Sequence, residues 1–407
     1  MTVAFDVIVI GGGLSGLMAG LTAAERGLST LVLDRNPGVG GKYCYTSMGA
    51  AALTNTGMGL DRFHGRDIRF VTDALSAFDA PVLRGWFEEH GVQLADAEYY
   101  GLVCPPSGGD AVGALVEALE STGAELRTEC VVTGVERVDG GFRVQAGEPL
   151  QAKSVVLAAG GANLPQLGGG DDGYRIAVSL GHQCEPAYAA HAGVTVAETW
   201  PTTLPGLWMD VELSLTVGCK PLRDARAIGS MLFTQSGLTG EAVFNISRYI
   251  GPNLDGGPEL HVNFHPGMEF DDVAQWLHRV FGERTREPSD RAIDFMLPAS
   301  LGSILLAHQK VKPGARVMQL HERQRQGLLT EMVDTRLRAT GTLGMRAAES
   351  CSGGVQVREV DPRTMQSKLV PGLYVVGRLL DICADWGGFE QHFSLASGRL
   401  AGLSVLQ

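Results

Sequence analysis

Short, strongly apolar runs separated by glycine turns fill the first forty positions of the chain. Phe5 to Ile10 (FDVIVI) is almost wholly apolar and β-branched, the pattern of a strand covered on both faces in a parallel sheet. Leu17 to Arg26 carries Ala and Leu at helical spacing, and Thr30 to Leu33 (TLVL) is a second apolar run. Strand, helix and strand in this compass predict a βαβ unit. Ala124 to Val144 alternates apolar and polar positions around Asp139-Gly140-Gly141, which predicts antiparallel strands with a tight hairpin turn. Ser154 to Ala159 (SVVLAA) and Leu373 to Val376 (LYVV) read as further buried strands, and Gln391 to Leu403 as a helix. In the middle of the chain, Met209 to Val217 (MDVELSLTV) alternates like an antiparallel strand. Glu241 to Ile250, after the turn at Gly237-Leu238-Thr239-Gly240, reads as helix, as do Asp271 to Phe281 and Glu322 to Leu337.

The first junction carries chemistry. Gly11, Gly13 and Gly16 form G-x-G-x-x-G between the first strand and the helix, with Leu14 and Ser15 at the helix start. The glycines answer three needs: a tight turn, a backbone without Cβ that a pyrophosphate can approach, and close packing of helix on strand. Asp34, at the end of the second run, stands where an acid hydrogen-bonds an adenosine ribose. These features together predict a dinucleotide site. Gly168-Gly169-Gly170 is not a second fingerprint, because Asp171 and Asp172 follow it and no buried strand precedes it. A bound nicotinamide is not indicated.

Composition narrows the class. A chain of 407 residues with 44% hydrophobic content accommodates two domains. The formal net charge is −12, from 45 acidic and 33 basic side chains without long runs of either sign, so no electrostatic footprint for nucleic acid is present. The seven cysteines are scattered and never in C-x-x-C spacing, which argues against a disulfide framework and a structural metal site. No segment reaches about 18 uninterrupted apolar residues. The expectation is a cytoplasmic protein without metal, membrane or nucleic-acid partners. These patterns specify no oligomeric state.

With these residues in hand, the sequence resembles the HI0933-like flavoproteins, a group that includes a bile-acid 4,6-reductase and aminoacetone oxidase-like enzymes. The matching pieces are GGGLSGLMAG at Gly11, FTQSGLTGEAVFNISRY at Phe233, GGVQVREVDPRTMQSKLVPGLYVVGRLLD at Gly353 and GGFEQHFSLASGRLAG at Gly387. The resemblance implies an α/β fold: a Rossmann-type FAD-binding domain, glutathione-reductase- and fumarate-reductase-like, built from residues 1–190 and 341–407. An inserted β-rich substrate domain would span 191–340, with a helical part at about 270–335. FAD would be held by Gly11, Gly13, Leu14, Ser15, Gly16, Asp34, Arg35, Gly41, Lys42, Val132, Ala159, Gly160, Gly161, Gly377, Asp381, Gly387, Gly388 and Phe389. Residues 40–55 are also similar to a G-G-x-x-x-x-S-x-G-(A/G) stretch of fumarate-reductase-like enzymes.

Three departures from the family pattern fall in segments expected near the flavin ring. Ala50 and Ala51 replace an Arg and a Cys, Arg378 replaces the acid of G-E-x-L-D, and Glu390 replaces the Asn of G-G-Y-N-L-Q. His191, His392, Tyr43 and Arg378 are the candidates for moving protons or orienting a small-molecule substrate. The implied activity is reduction or formation of a C=C bond next to a carbonyl, by hydride transfer through flavin N5, with an external electron donor or acceptor. An FAD-dependent amine oxidase producing peroxide and a non-catalytic flavin-binding subunit are the alternatives.

Overall fold

The computed structural model describes residues 4–45, 51–98 and 100–407. Positions 46–50 of the 40–55 stretch, the departure at Ala50 among them, lie outside the described residues. The chain divides into two compact units, one of residues 1–188 and 348–407, the other of 189–347.

In the first unit a seven-stranded sheet is built around the apolar runs. Strand β1 (Ala4–Ile10) is followed by helix α1 (Leu14–Glu25) and β2 (Thr30–Leu33), and β1 and β2 pair in parallel. Strand β3 (Glu125–Arg127) extends the sheet parallel to β2. This differs from the expected antiparallel pairing of Ala124 to Val144. Only β4 (Gly134–Val138) and β5 (Gly141–Ala146) form the hairpin, turning at Asp139 and Gly140, because β3 has an unclaimed sheet edge beside β2 to join.

Strand β6 (Glu148–Leu157) serves two patterns at once. Its first half pairs antiparallel with β5, and its last residues pair in parallel with β7 (Leu373–Val375) on the same edge. Its other edge pairs with β1 from Ala4↔Gln151 to Ile10↔Leu157. Burial follows suit: Lys153 is exposed between Ala152 and Ser154, whereas Ser154 to Leu157 are all buried, as a strand covered on both faces requires. The C-terminal helix α2 (Phe389–Ser404) packs on α1 through small residues. A Cβ on Gly398 would lie 2.2 Å from the Ser15 carbonyl oxygen.

The second unit is a closed six-stranded barrel in the order Val194–Val196, Gly237–Thr239, Lys220–Thr234, Trp208–Val217, Pro258–Asn263 and Thr335–Thr342. Helices Phe270–Glu283, Ala299–His308 and Glu322–Val333 accompany it. The helix expected to run to Leu337 stops at Val333, and Thr335–Thr342 is a barrel strand. The reason is visible in burial: Thr335, Leu337 and Ala339 are inside while Arg336 and Arg338 are exposed, a period of two that a helix cannot satisfy.

Candidate functional site

Helix α1 starts where β1 ends, with Gly11 at φ +112° and Gly13 as its N-cap. A Cβ on Gly11 would sit 2.3 Å from the Ala158 carbonyl oxygen, and one on Gly16 only 1.8 Å from the Gly11 carbonyl oxygen. Both positions therefore admit nothing but glycine. Gly13 differs: no atom lies within 4 Å of where its Cβ would be, and it lines a pocket. The helix has no side-chain cap and no acidic residue in its first turn. Leu17 N–H bonds back to the Gly13 carbonyl, which leaves the earlier amides, at the positive end of the helix, without an intrahelical acceptor.

Two hydrogen-bonded groups line the pocket on either side of this turn. The first surrounds Asp34. Its Oδ2 accepts from Gly12 N–H at 2.7 Å and its Oδ1 from Asn36 N–H at 2.8 Å. Cys130 N–H donates to the Asp34 carbonyl, Asn36 Nδ2 lies 3.4 Å from the Leu167 carbonyl oxygen, and Arg35 pairs with Asp172 at 2.5 Å. Arg35, Asn36, Val132, Gly168, Gly170 and Asp172 thus face the pocket together.

The second group surrounds Lys42. Its Nζ donates to the Gly161 carbonyl at 2.6 Å, and burial pulls its pKa down to about 8, with the Arg378 charge acting in the same direction and Cys351 and Asp34 opposing. Asn163 Nδ2 donates to the Glu349 carbonyl at 2.8 Å, and Trp386 Nε1 to the Glu349 carboxylate at 3.1 Å. Arg378, Glu390 and Ser350 form an ion pair with a bridging hydroxyl. Tyr43 lines the same pocket, its hydroxyl donating to the Ala51 carbonyl at 2.7 Å. Burial raises the Tyr43 pKa far above its ordinary value, so the phenol stays protonated.

The structure brings Gly11, Gly13, Leu14, Ser15, Asp34, Arg35, Gly41, Lys42, Tyr43, Val132, Ala159, Gly160, Gly161 and Arg378 to one pocket. Others of the expected residues sit behind it. Gly16 packs α1 on the turn, and Gly377 meets Ser15, with 2.6 Å between its Cβ position and Oγ. Gly387, Gly388 and Phe389 shape the entry to α2: Asn55 Nδ2 donates to the Gly387 carbonyl, and a Cβ on Gly388 would lie 2.6 Å from the Thr54 carbonyl oxygen. Asp381 is buried away from the pocket lining, its N–H bonded to the Val355 carbonyl, and burial and Glu185 raise its pKa.

His392 calls for a correction. It is fully buried in α2, with Nδ1 2.6 Å from the Thr54 hydroxyl and Nε2 2.7 Å from the Phe78 carbonyl oxygen. A carbonyl only accepts, so Nε2 carries the proton and Nδ1 accepts from Thr54. Burial also lowers its pKa, and His392 is a neutral packing residue with no nitrogen to spare for chemistry. His191 belongs to the second unit, at φ +48° with its ring 6.4 Å from that of Phe244.

Sequence reasoning missed Asn163, Ser350, Gln391, Gly168 and Gly170 as lining residues. Gln391, inside the quoted GGFEQH motif, carried a signal. Ser350 carried none.

A dinucleotide fits this lining. The uncapped start of α1 awaits an anion, and Lys42 has no carboxylate partner among the described residues. Lys42 gives a pH dependence. FAD carries two negative charges on its diphosphate, whose field reaches Lys42 across the same pocket, so it is bound best by the ammonium form, which binding in turn stabilises. Above about pH 8 the free protein must take up a proton to bind. FAD affinity is expected to fall up to roughly tenfold per pH unit above that point, and Lys42→Met to flatten the profile. Fluorescence titration of the apoprotein from pH 7 to 10 measures both.

Comparison with known proteins agrees with this geometry. The family model described as the HI0933-like protein Rossmann domain matches residues 5–404. A 3-dehydro-bile acid delta(4,6)-reductase of Clostridium scindens is 30% identical, over 98% of each chain. A ribosomal RNA dihydrouridine synthase of Escherichia coli is 27% identical, over 97% of this chain and 96% of its own. Among solved structures, a 3-ketosteroid-delta4-(5alpha)-dehydrogenase from Rhodococcus jostii RHA1 is similar at 17% identity and a TM-score of 0.49, covering 99% of this chain and 97% of its own. All seven cysteines are unpaired, no metal-ligating cluster occurs among the described residues, and no helix among them is long and apolar enough to cross a membrane. A fingerprint turn that only glycine can make, opening on a pocket built for a dinucleotide and matched almost end to end, makes this chain a member of the HI0933-like family and an FAD-dependent oxidoreductase.

Proposed function

We propose that the protein reduces, or in reverse forms, a C=C bond next to a carbonyl in a small, largely apolar molecule. The observation that carries this reading is the near full-length relative named for reducing the 4,6 positions of a 3-dehydro bile acid. The E. coli relative is named for making dihydrouridine, again the addition of two hydrogens across a C=C bond beside a carbonyl. A net charge of −12 favours a small molecule over RNA, since polyanion binding draws on clustered basic side chains.

Bound FAD supplies the hydride at N5. The chain supplies a fixed polar wall: Lys42, Asn163 and Arg378 are each tied to backbone carbonyls, so they need no rearrangement when charge shifts beside them. Tyr43 and Ser350 are likewise committed to protein acceptors. Electrons come from an external donor, in keeping with a single dinucleotide fingerprint.

The test is anaerobic. Photoreduced holoprotein mixed with cyclohex-2-enone or a steroid 4-en-3-one is expected to regain its yellow colour and yield the saturated ketone. Recovery of colour only with oxygen, and reduction of the flavin by small amines, would replace this reading with the oxidase. Turnover of ribosomal RNA but of no free enone would move the substrate to nucleic acid.

A further inference from the structure

The group around Lys42 contains a buried ion pair, of which the polar wall described above uses only the cation, Arg378. Arg378 Nε lies 3.1 Å from Glu390 Oε2, the two side chains being 14% and 8% exposed, and both line the pocket. Both are locked in place. The two oxygens of Glu390 accept from the Ser350 hydroxyl at 2.8 and 2.7 Å, and Oε1 also accepts from Ala384 N–H at 3.1 Å. Arg378 Nη2 donates to Ser350 and to the Cys351 carbonyl. Its Nη1 is sealed from water and has no hydrogen-bond partner.

A guanidinium short of one partner remains incompletely compensated by its carboxylate. At low dielectric an immobile charge acts over several ångströms with little screening, so the pair biases any charge that develops in the pocket without touching it. The place of that charge follows from the lining. Asp34 takes the adenosine end and the start of α1 the diphosphate, which leaves the Lys42 group for the flavin ring. The first turn of α2 contributes Glu390 and Gln391 to the same wall, adding the positive end of a second helix.

We propose that the Arg378–Glu390 pair sets the electron affinity of the bound FAD. Uptake of two electrons and one proton leaves the cofactor one unit more negative than before. Arg378 favours that added charge and Glu390 opposes it. The inference rests on the FAD assignment and is independent of which molecule the enzyme reduces.

Dye-equilibrated reduction of the holoproteins, with FAD content checked by absorbance, tests it. Glu390→Gln keeps the acceptor for Ser350 and Ala384 N–H but removes the negative charge. It is expected to raise the equilibrium constant for two-electron reduction at least tenfold, about 30 mV for that couple. Arg378→Gln is expected to lower it by at least as much, and Arg378→Gln/Glu390→Gln to fall between the two and below the parent, because the guanidinium is the incompletely compensated charge. Shifts of the two single variants in the same direction, or by less than about threefold, overturn the proposal. If Arg378→Gln does not retain FAD, Glu390→Gln alone decides: an unchanged or lowered constant overturns it, a raised one supports it.

Discussion

Gly16→Ala is expected to give a protein that no longer retains FAD. The added methyl would lie 1.8 Å from the Gly11 carbonyl oxygen and 3.1 Å from the Ala158 Cβ, so α1 would have to move away from β1. The other side of the helix prevents this. Gly398 of α2 already approaches the Ser15 carbonyl so closely that a Cβ there would sit at 2.2 Å, and Gly402 repeats the contact against Ala19 at 2.6 Å. Clamped between the turn and α2, α1 cannot relax, and the strain is roughly 3 kcal/mol. The displaced amides then miss the diphosphate, weakening FAD binding by roughly a hundredfold or more, about 2.8 kcal/mol. Gly13→Ala is the control. Its φ of −80° suits alanine and its Cβ meets no protein atom within 4 Å, so the apoprotein should melt near the parent temperature while its FAD affinity drops because the methyl enters the pocket. Differential scanning fluorimetry with and without FAD separates the two. Equal melting temperatures for apo Gly16→Ala and the parent would show that the helix is not clamped.

This contrast shows where the sequence was legible and where it was not. The fingerprint could be read because its parts are local: β1, the three glycines, α1 and Asp34 lie within some thirty residues, and the physics of each is carried by its neighbours. Only the end of β6 was legible, from the apolar run at Ser154 to Leu157, and its first half from Glu148 was not. The wall around Lys42 was not, because its members are scattered. Ser350 stands 28 residues from Arg378 and 40 from Glu390, and Asn163 reaches the Glu349 carbonyl across 186 residues. No spacing rule connects them. The Gly168–Gly170 run illustrates the intermediate case. It is no fingerprint in spacing, yet Gly168 and Gly170 border the pocket because Asn36 reaches the Leu167 carbonyl. His392 misled because it lies beside a glycine pair at a helix start, and only the structure shows both its nitrogens spent on Thr54 and Phe78.

Arg378→Met is expected to cost about 3–5 kcal/mol of stability, because it strands the Glu390 carboxylate in the interior with no cation beside it. The hydroxyl of Ser350 and the amide of Ala384 remain as donors, but neutral donors do not replace a guanidinium at 3.1 Å. Chemical denaturation of the apoprotein measures the loss. Arg378→Met/Glu390→Met removes both charges and should recover most of it, since a buried ion pair is commonly matched by apolar side chains of similar volume. That recovery is what distinguishes a pair kept for the pocket from one kept for the fold. A double variant as stable as the parent, yet with a shifted flavin potential, would mean that burying these charges serves the cofactor and leaves the fold indifferent. A double variant that stays several kcal/mol below the parent would mean that Arg378 also holds the chain through its bonds to Ser350 and the Cys351 carbonyl, so that fold and potential depend on the same guanidinium.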